Sequence, residues 1–182
     1  MKLNNLFANA ASKALALAAA VMMMGMTFTA CSSDNDDTPK FTNTVTLDGE
    51  VIKIEKLEMN KIGEVYWLSI KLEKEKKATD ILIALNHSTL NNKLIDLTQQ
   101  TGSAVSTWSI SVLKGINWLF CGYGVKHEKF KFSGGTMKIN INPTTKEVEV
   151  TVTGGKINTP TDTNQGDGQD HTISISYKGK AK

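Results

Sequence analysis

Apolar and polar residues alternate with a period of two along most of the chain beyond residue 40, the pattern of strands with one buried face. Val45 and Leu47 open it, Asp48-Gly49 supplies a turn, and Ile52 and Ile54 resume it. The parity then shifts to Leu57 and Met59, which predicts a bulge near Glu55-Lys56. Residues Asn60 to Gly63 are expected to turn the chain into a strand carrying Tyr66, Leu68, Ile70 and Leu72. Lysine-rich residues 71–77 suggest a solvated turn, and Asp80 to Asn86 a continuous apolar segment, either buried strand or short helix. Asn86 to Asn92 breaks it, and Leu94 to Thr98 fits a short strand and a helical turn equally well. Strands are expected over Val105–Leu113 and Ile116–Gly124.

The clearest pairing lies further on. If residues 143–146 form a loop, Ile141 faces Val148, Ile139 faces Val150 and Met137 faces Val152. Each inward residue then meets an inward residue, the condition that fixes register. Gly154-Gly155 follows, then a polar loop from Asn158 to Asp170, and a last strand, His171 to Lys178, buries Ile173, Ile175 and Tyr177. About nine strands at this spacing predict an all-β antiparallel sandwich, with a closed calycin-like barrel as the alternative.

The first thirty residues follow a different rule. Lys2 and Lys13 precede an apolar run that ends in small residues, the anatomy of a secretory signal. Ala14 to Ala30 is 17 residues and is interrupted by Gly25, Thr27 and Thr29, short of the ~20 apolar residues of a stable span. The downstream flank is acidic, with no lysine before Lys40, unlike the basic flank that retains a spanning helix.

Thr27-Phe28-Thr29-Ala30-Cys31 resembles the lipobox of bacterial lipoproteins, although Phe28 stands where that family usually has leucine. Ser32-Ser33-Asp34-Asn35-Asp36-Asp37 resembles the acidic export tag of Bacteroidetes surface lipoproteins. The resemblance implies a signal peptide over 1–30, a diacylglyceryl thioether (with N-palmitate or a similar acyl chain) on Cys31, an acidic tether over 31–39 and one domain over 40–182. It also implies an outer-membrane lipoprotein displayed at the cell surface. One acyl chain holds a protein only marginally, each buried methylene contributing about 0.8 kcal/mol, whereas two or three chains anchor it stably. The tether from Ser32 to Pro39 spans at most roughly 26 Å at ~3.3 Å per residue.

Loss of Lys2 and Lys13 leaves 19 basic residues against 18 acidic ones, and every basic residue is lysine. Near-neutral charge without arginine, the usual reader of phosphate and guanine, excludes nucleic acid as the expected partner. A lipidated Cys31 leaves Cys121 unpaired, and its neighbours Trp118-Leu119-Phe120 predict a buried thiol.

Candidate chemistry is sparse. His87, His127 and His171 lack metal spacing, and no nucleophile elbow, phosphate loop or Cys-x-x-Cys occurs. The chain is therefore expected to be no enzyme. Asp162, Asn164, Asp167 and Asp170 place oxygen ligands in a glycine-containing loop as calcium requires, but Gly166 breaks the spacing and no glutamate closes it. No other cofactor is indicated. Tyr66 and Trp67 are adjacent on a strand and must point to opposite faces. Strict alternation puts Trp118 on one face with Phe120, and Tyr123 on the other with Leu119 and Cys121. These four aromatics are the candidate ligand-binding residues. The expectation is a non-catalytic binding module for a glycan or protein partner; the alternatives are a carrier of an apolar ligand and, more remotely, a hydrolase.

Overall fold

The computed structural model describes residues 40–73, 78–100, 108–125, 127, 129–159 and 165–182. Cys31 with the signal and tether, Asp162, Asn164, most of the lysine-rich turn and the start of the strand expected from Val105 lie outside the described residues.

Ten strands and one short helix follow one another: β1 (Thr44–Leu47), β2 (Glu50–Ile62), β3 (Val65–Leu72), β4 (Asp80–Asn86), α1 (His87–Leu90), β5 (Leu94–Asp96), β6 (Trp108–Lys114), β7 (Asn117–Tyr123), β8 (Phe132–Ile141), β9 (Glu147–Asn158) and β10 (Asp170–Lys180). They form one antiparallel sheet in the order β5-β8-β9-β10-β1-β2-β3-β4-β6-β7, curled into a half-barrel. The all-β architecture follows from the alternation. The two walls expected of a sandwich are two halves of this single sheet, because β2 pairs with β1 through Lys53 and from Ile54 onward with β3, across a register shift at Ile54/Lys56. That shift is the bulge predicted near Glu55-Lys56.

The inward rows are apolar but for His171 at the start of β10. Ile52, Ile70, Ile83, Ile110, Phe120, Met137 and Val150 are fully buried and belong to one core. Aromatic contacts bind the two walls: Phe132 of β8 lies 6.0 Å from Trp108 and 6.2 Å from Phe120 of the opposite wall. Phe120 also stacks on His171 of β10 at 5.3 Å.

The hairpin of β8 and β9 has the expected register, Ile141↔Val148, Ile139↔Val150 and Met137↔Val152. Its loop is held by Asn142, whose Oδ1 accepts from the amides of Thr144 and Thr145, and Lys146 closes it with a positive φ of 59°. Asp48 and Gly49 both have positive φ, the condition of the two-residue turn that matches strand twist.

Several expectations change in detail. Gly154-Gly155 does not lie beyond the hairpin, since β9 runs through it to Asn158. Register shifts at Phe132/Gly134/Thr136 in β8 and Ile173/Ile175 in β10 lie beside these glycines. The three irregularities together crease the sheet, as bulges and glycines do at barrel corners. β2 continues through Asn60 to Ile62, so only Gly63-Glu64 turns the chain. Asp80 to Asn86 is a strand, with inward Ile81, Ile83 and Leu85 fully buried. Residues 94–96 form an edge strand on β8, which raises the count from nine to ten. Before it, Asn91 extends that edge with its side chain: Oδ1 accepts from the Ile141 amide at 2.8 Å and Nδ2 donates to its carbonyl at 3.3 Å.

The crease makes a specific demand at Gly135, whose φ is +105° and where a Cβ would meet the Gly155 backbone at 2.6 Å. Gly49 also has positive φ, but a Cβ there meets nothing within 4 Å. Gly135→Ala is expected to cost about 2–4 kcal/mol and Gly49→Ala only about 1 kcal/mol. Urea denaturation of both variants checks this; equal losses would show that the close approach contributes nothing.

Candidate functional site

Of the four aromatics singled out by the sequence, β3 carries two. Tyr66 falls on the inward row with Leu68 and Ile70 and is 4% exposed. Its ring lies 5.0 Å from the His87 ring, with the Lys61 ammonium 5.5 Å from its centroid. Tyr66 is thus a core residue, and its place in the ligand-binding set is withdrawn. Trp67 falls on the outer row and is 45% exposed.

Pairing fixes the surroundings of Trp67. Asn60 of β2 stands opposite it on one side and Ala84 of β4 on the other. The next outer row is Glu58, Ser69 and Leu82, and the next Lys56, Lys71 and Asp80. Beside the indole lies an open hollow of about 190 Å³ lined by Glu58, Met59, Asn60, Trp67, Leu68, Ser69 and Leu82. Its lining is almost wholly apolar, and Glu58, Asn60 and Ser69 stand on the outer rows around the indole. The Lys56 ammonium donates to Glu58 Oε1 at 2.7 Å and, by that bond and its charge, holds the Glu58 carboxyl below the ordinary range. Lys71 pairs in the same way with Asp80.

Trp118 and Tyr123 lie elsewhere, on edge strand β7. A register shift pairs Phe120 with Val112 but Trp118 with Leu113. Consecutive residues of β6 point to opposite faces, so Trp118 does not share a face with Phe120. The bulge breaks the strict alternation expected there, and Trp118 is half-buried. Tyr123 is half-buried under a second, smaller cluster on the outer face. Its ring lies 5.6 Å from Phe130 and 6.0 Å from His127, and its hydroxyl donates to Gln165 Oε1 at 3.3 Å. The Gln100 amide donates to the carbonyls of Tyr123 and Phe130 and accepts from the His127 amide. Tyr123 is therefore spoken for by neighbouring loops.

Cys121 is buried in this cluster, as its neighbours predicted, with Ser111 Oγ 2.8 Å from its sulfur. Burial pushes its thiol pKa up. The phenol of Tyr123 is pushed up as well, by burial first and then by its contact with Cys121.

The long polar loop is anchored by a residue the sequence did not single out for a role. His171, 3% exposed, lies between two carboxylates: Nδ1 is 2.9 Å from Asp48 Oδ2 and Nε2 is 2.9 Å from Asp167 Oδ1. Asp48 Oδ1 also accepts from the Thr172 amide, and the Asp167 amide donates to the Leu119 carbonyl at 3.1 Å. The clasp joins the β1–β2 turn, the start of β10 and the free edge of β7. Asp167 is committed to this clasp and Asp170 to the Asn158 amide, so the two described members of the expected calcium set serve different partners. Among the described residues, no group of three His, Cys, Asp or Glu side chains is arranged to hold a metal.

A larger open groove of about 450 Å³ lies over the polar face of β8–β10, lined by residues including His87, Asn91, Asn140, Glu149 and Lys178. Within it Lys178 donates to Glu149 at 2.7 Å, and Glu147 accepts from the Thr145 hydroxyl.

No family model, no curated protein and no solved structure matches this chain.

Sequence reasoning found Trp67 but missed Asn60, Glu58, Ser69 and Leu82. The usable signal was Gly63-Glu64: read as a two-residue turn, it places Asn60 opposite Trp67.

The outer cluster, together with Tyr177 of the main core, has a consequence for pH. Cys121, Tyr123 and Tyr177 all have raised pKa values in the fold. The unfolded chain therefore loses these protons first, and stability falls as pH rises past about 8.5 for the thiol and about 10 for the phenols. Lys178, also raised, by its bond to Glu149, acts in the same direction. Denaturation midpoints from pH 7 to 10.5, alkaline conditions that span about two titrations, are expected to fall, with Cys121→Ala delaying the onset. A midpoint flat throughout would contradict the burial of these groups.

Proposed function

We propose that this chain is a lipid-anchored, surface-displayed binding module without catalytic activity, and that its ligand is a glycan held against Trp67. The observation that carries the reading is the setting of Trp67. Trp108 is buried and Trp118 half-buried, whereas Trp67 is presented outward beside an apolar hollow, with Asn60, Glu58 and Ser69 on the neighbouring outer rows. An exposed indole face attracts the C–H face of a sugar ring, and the adjoining carboxylate, amide and hydroxyl match sugar hydroxyls. The strand under it is paired on both sides, so little ordering is needed on binding.

The anchor rests on Ala30-Cys31 and the acidic stretch after it. Two or more acyl chains on Cys31 hold the protein to the membrane, and the aspartates of the tether are repelled by anionic headgroups. An enzyme reading draws on no feature of the site. The most deeply enclosed titratable constellation, Asp48–His171–Asp167, has its imidazole shut away from solvent.

Glycan-array screening followed by calorimetry on the soluble domain tests the module. Trp67→Ala is expected to weaken binding at least tenfold, in line with the ~1–3 kcal/mol of an aromatic stacking partner, while leaving the unfolding midpoint nearly unchanged. Binding indifferent to Trp67 would remove the site. For the anchor, Cys31→Ala is expected to abolish metabolic acyl labelling and to release the protein from the membrane fraction; persistent labelling would refute it.

A further inference from the structure

We propose that residues 165–169 guard the free edge of β7 in place of a neighbouring strand, that the Asp48–His171–Asp167 clasp holds them there, and that this contact keeps the edge from pairing with a second copy of the chain. The inference does not depend on the glycan-module reading.

The two ends of the sheet are protected by different means. At one end β5 is only three residues long, and very short edge strands offer little to a foreign strand. The edge of β8 on either side of it is taken up by neighbouring groups. Asn92 donates its amide to the Ile139 carbonyl at 2.7 Å, Asn91 bonds both backbone groups of Ile141, and Leu97 donates to the Gly135 carbonyl at 3.0 Å. At the other end β7 (Asn117–Tyr123) is seven residues long, and its sequence NWLFCGY contains no charge and no proline. Lysine and proline are the residues that usually blunt an edge. An uncharged, proline-free segment of this length is a template for pairing with another chain.

Backbone groups from two loops stand where those of a next strand would stand. The Tyr123 amide donates to the Phe130 carbonyl at 3.1 Å, and the Leu119 carbonyl accepts from the Asp167 amide at 3.1 Å. By the alternation of an antiparallel ladder, the N–H and C=O of Cys121 point to the same edge as those of Tyr123. The contact at Leu119 is the one that side chains fix. Asp167 Oδ1 meets His171 Nε2 at 2.9 Å, Asp48 Oδ2 meets Nδ1 at 2.9 Å, and Phe120 stacks on the ring between them. The segment is also closed at its base. Thr159, 2% exposed, donates its hydroxyl to the Gln169 carbonyl and accepts from the Gly168 amide. Gly166 lies so near that a Cβ there would come within 2.6 Å of the Thr159 Cβ. The guard thus touches β7 at Leu119 and, through Gln165, at the Tyr123 hydroxyl. Behind it, the guard is pinned to β10 and the β1–β2 turn.

Two substitutions loosen the guard without altering β7 or the core. Asp167→Ala takes a carboxylate out of the clasp, and Gly166→Ala pushes the segment off Thr159. Hydrogen exchange and sedimentation velocity on the full chain read the result, with circular dichroism confirming the fold; if one variant does not fold, the other carries the test. The parent is expected to be monomeric, with its Asp167 amide protected. In each variant, exchange at position 167 and across residues 117–121 is expected to be about tenfold faster or more at low concentration. A dimer is expected to appear as concentration rises, and the β7 amides to regain protection as it forms, which places the interface on that edge. Asp167→Asn keeps an oxygen facing Nε2 and is expected to stay closer to the parent. Unchanged exchange in the folded variants would overturn the inference, because the clasp then holds nothing on the edge. Faster exchange with no dimer would overturn it as well, because the edge then needs no guard. So would a dimer that leaves the β7 amides unprotected, or a parent that already dimerises through β7.

Discussion

The pairing of the first strand with the last holds this fold together. β1 lies between β10 and β2: Val45 faces the inward Ile175 and Ile52 on both sides, and Leu47 faces Ile173 on one side, with Glu50 of the turn on the other. Without that seam the chain separates into two meanders, β1-β2-β3-β4-β6-β7 and β8-β9-β10 with β5 at its edge. Each meander buries one face against the other, and the β6–β7 end also covers part of its outer face with the cluster of Cys121, Tyr123 and Phe130. Phe120 on His171 and Trp108 near Phe132 are contacts between the meanders. The seam joins residues far apart in sequence, so much of the chain is ordered before the core is complete, a topology associated with slow folding.

The strands were legible because most have one wet face. Alternation located β2, β3, β6, β8, β9 and β10, and the matched apolar sets of β8 and β9 determined their register. Alternation was blind where the backbone departs from a two-residue repeat. The β7 bulge moved Trp118 off the face of Phe120, and Gly154-Gly155 proved to be part of a crease rather than a strand end. It was also blind to partnership between strands distant in sequence. Nothing in the local pattern at Thr44 to Leu47 names β10 as its neighbour, and nothing at Leu94 to Asp96 names β8.

The same division explains the candidate site. Trp67 could be placed outward opposite to Tyr66 from adjacency alone, but its neighbours on the outer rows depended on the β2–β3 turn. A turn starting at Asn60 removes that residue from the strand; a turn of Gly63-Glu64 puts it beside the indole. His171 went unread for a different reason. Its carboxylate partners lie 123 residues and 4 residues away, and only the closure of the sheet brings Asp48 to it. The clasp and the platform occupy different parts of the fold, so the long loop is secured without drawing on the groups around Trp67.

The position of β1 has a mechanical consequence. The chain enters the domain at Lys40, Thr42 donates its amide to Ser176 Oγ, and β1 then runs between two antiparallel neighbours. Hydrogen bonds in such a ladder stand perpendicular to the strand. A pull on residue 40 along β1 therefore loads the bonds to both β10 and β2 together, in shear, instead of peeling them one at a time. A domain held by its N-terminal end resists drag best with its entry strand in the middle of the sheet, and worst with that strand at an edge.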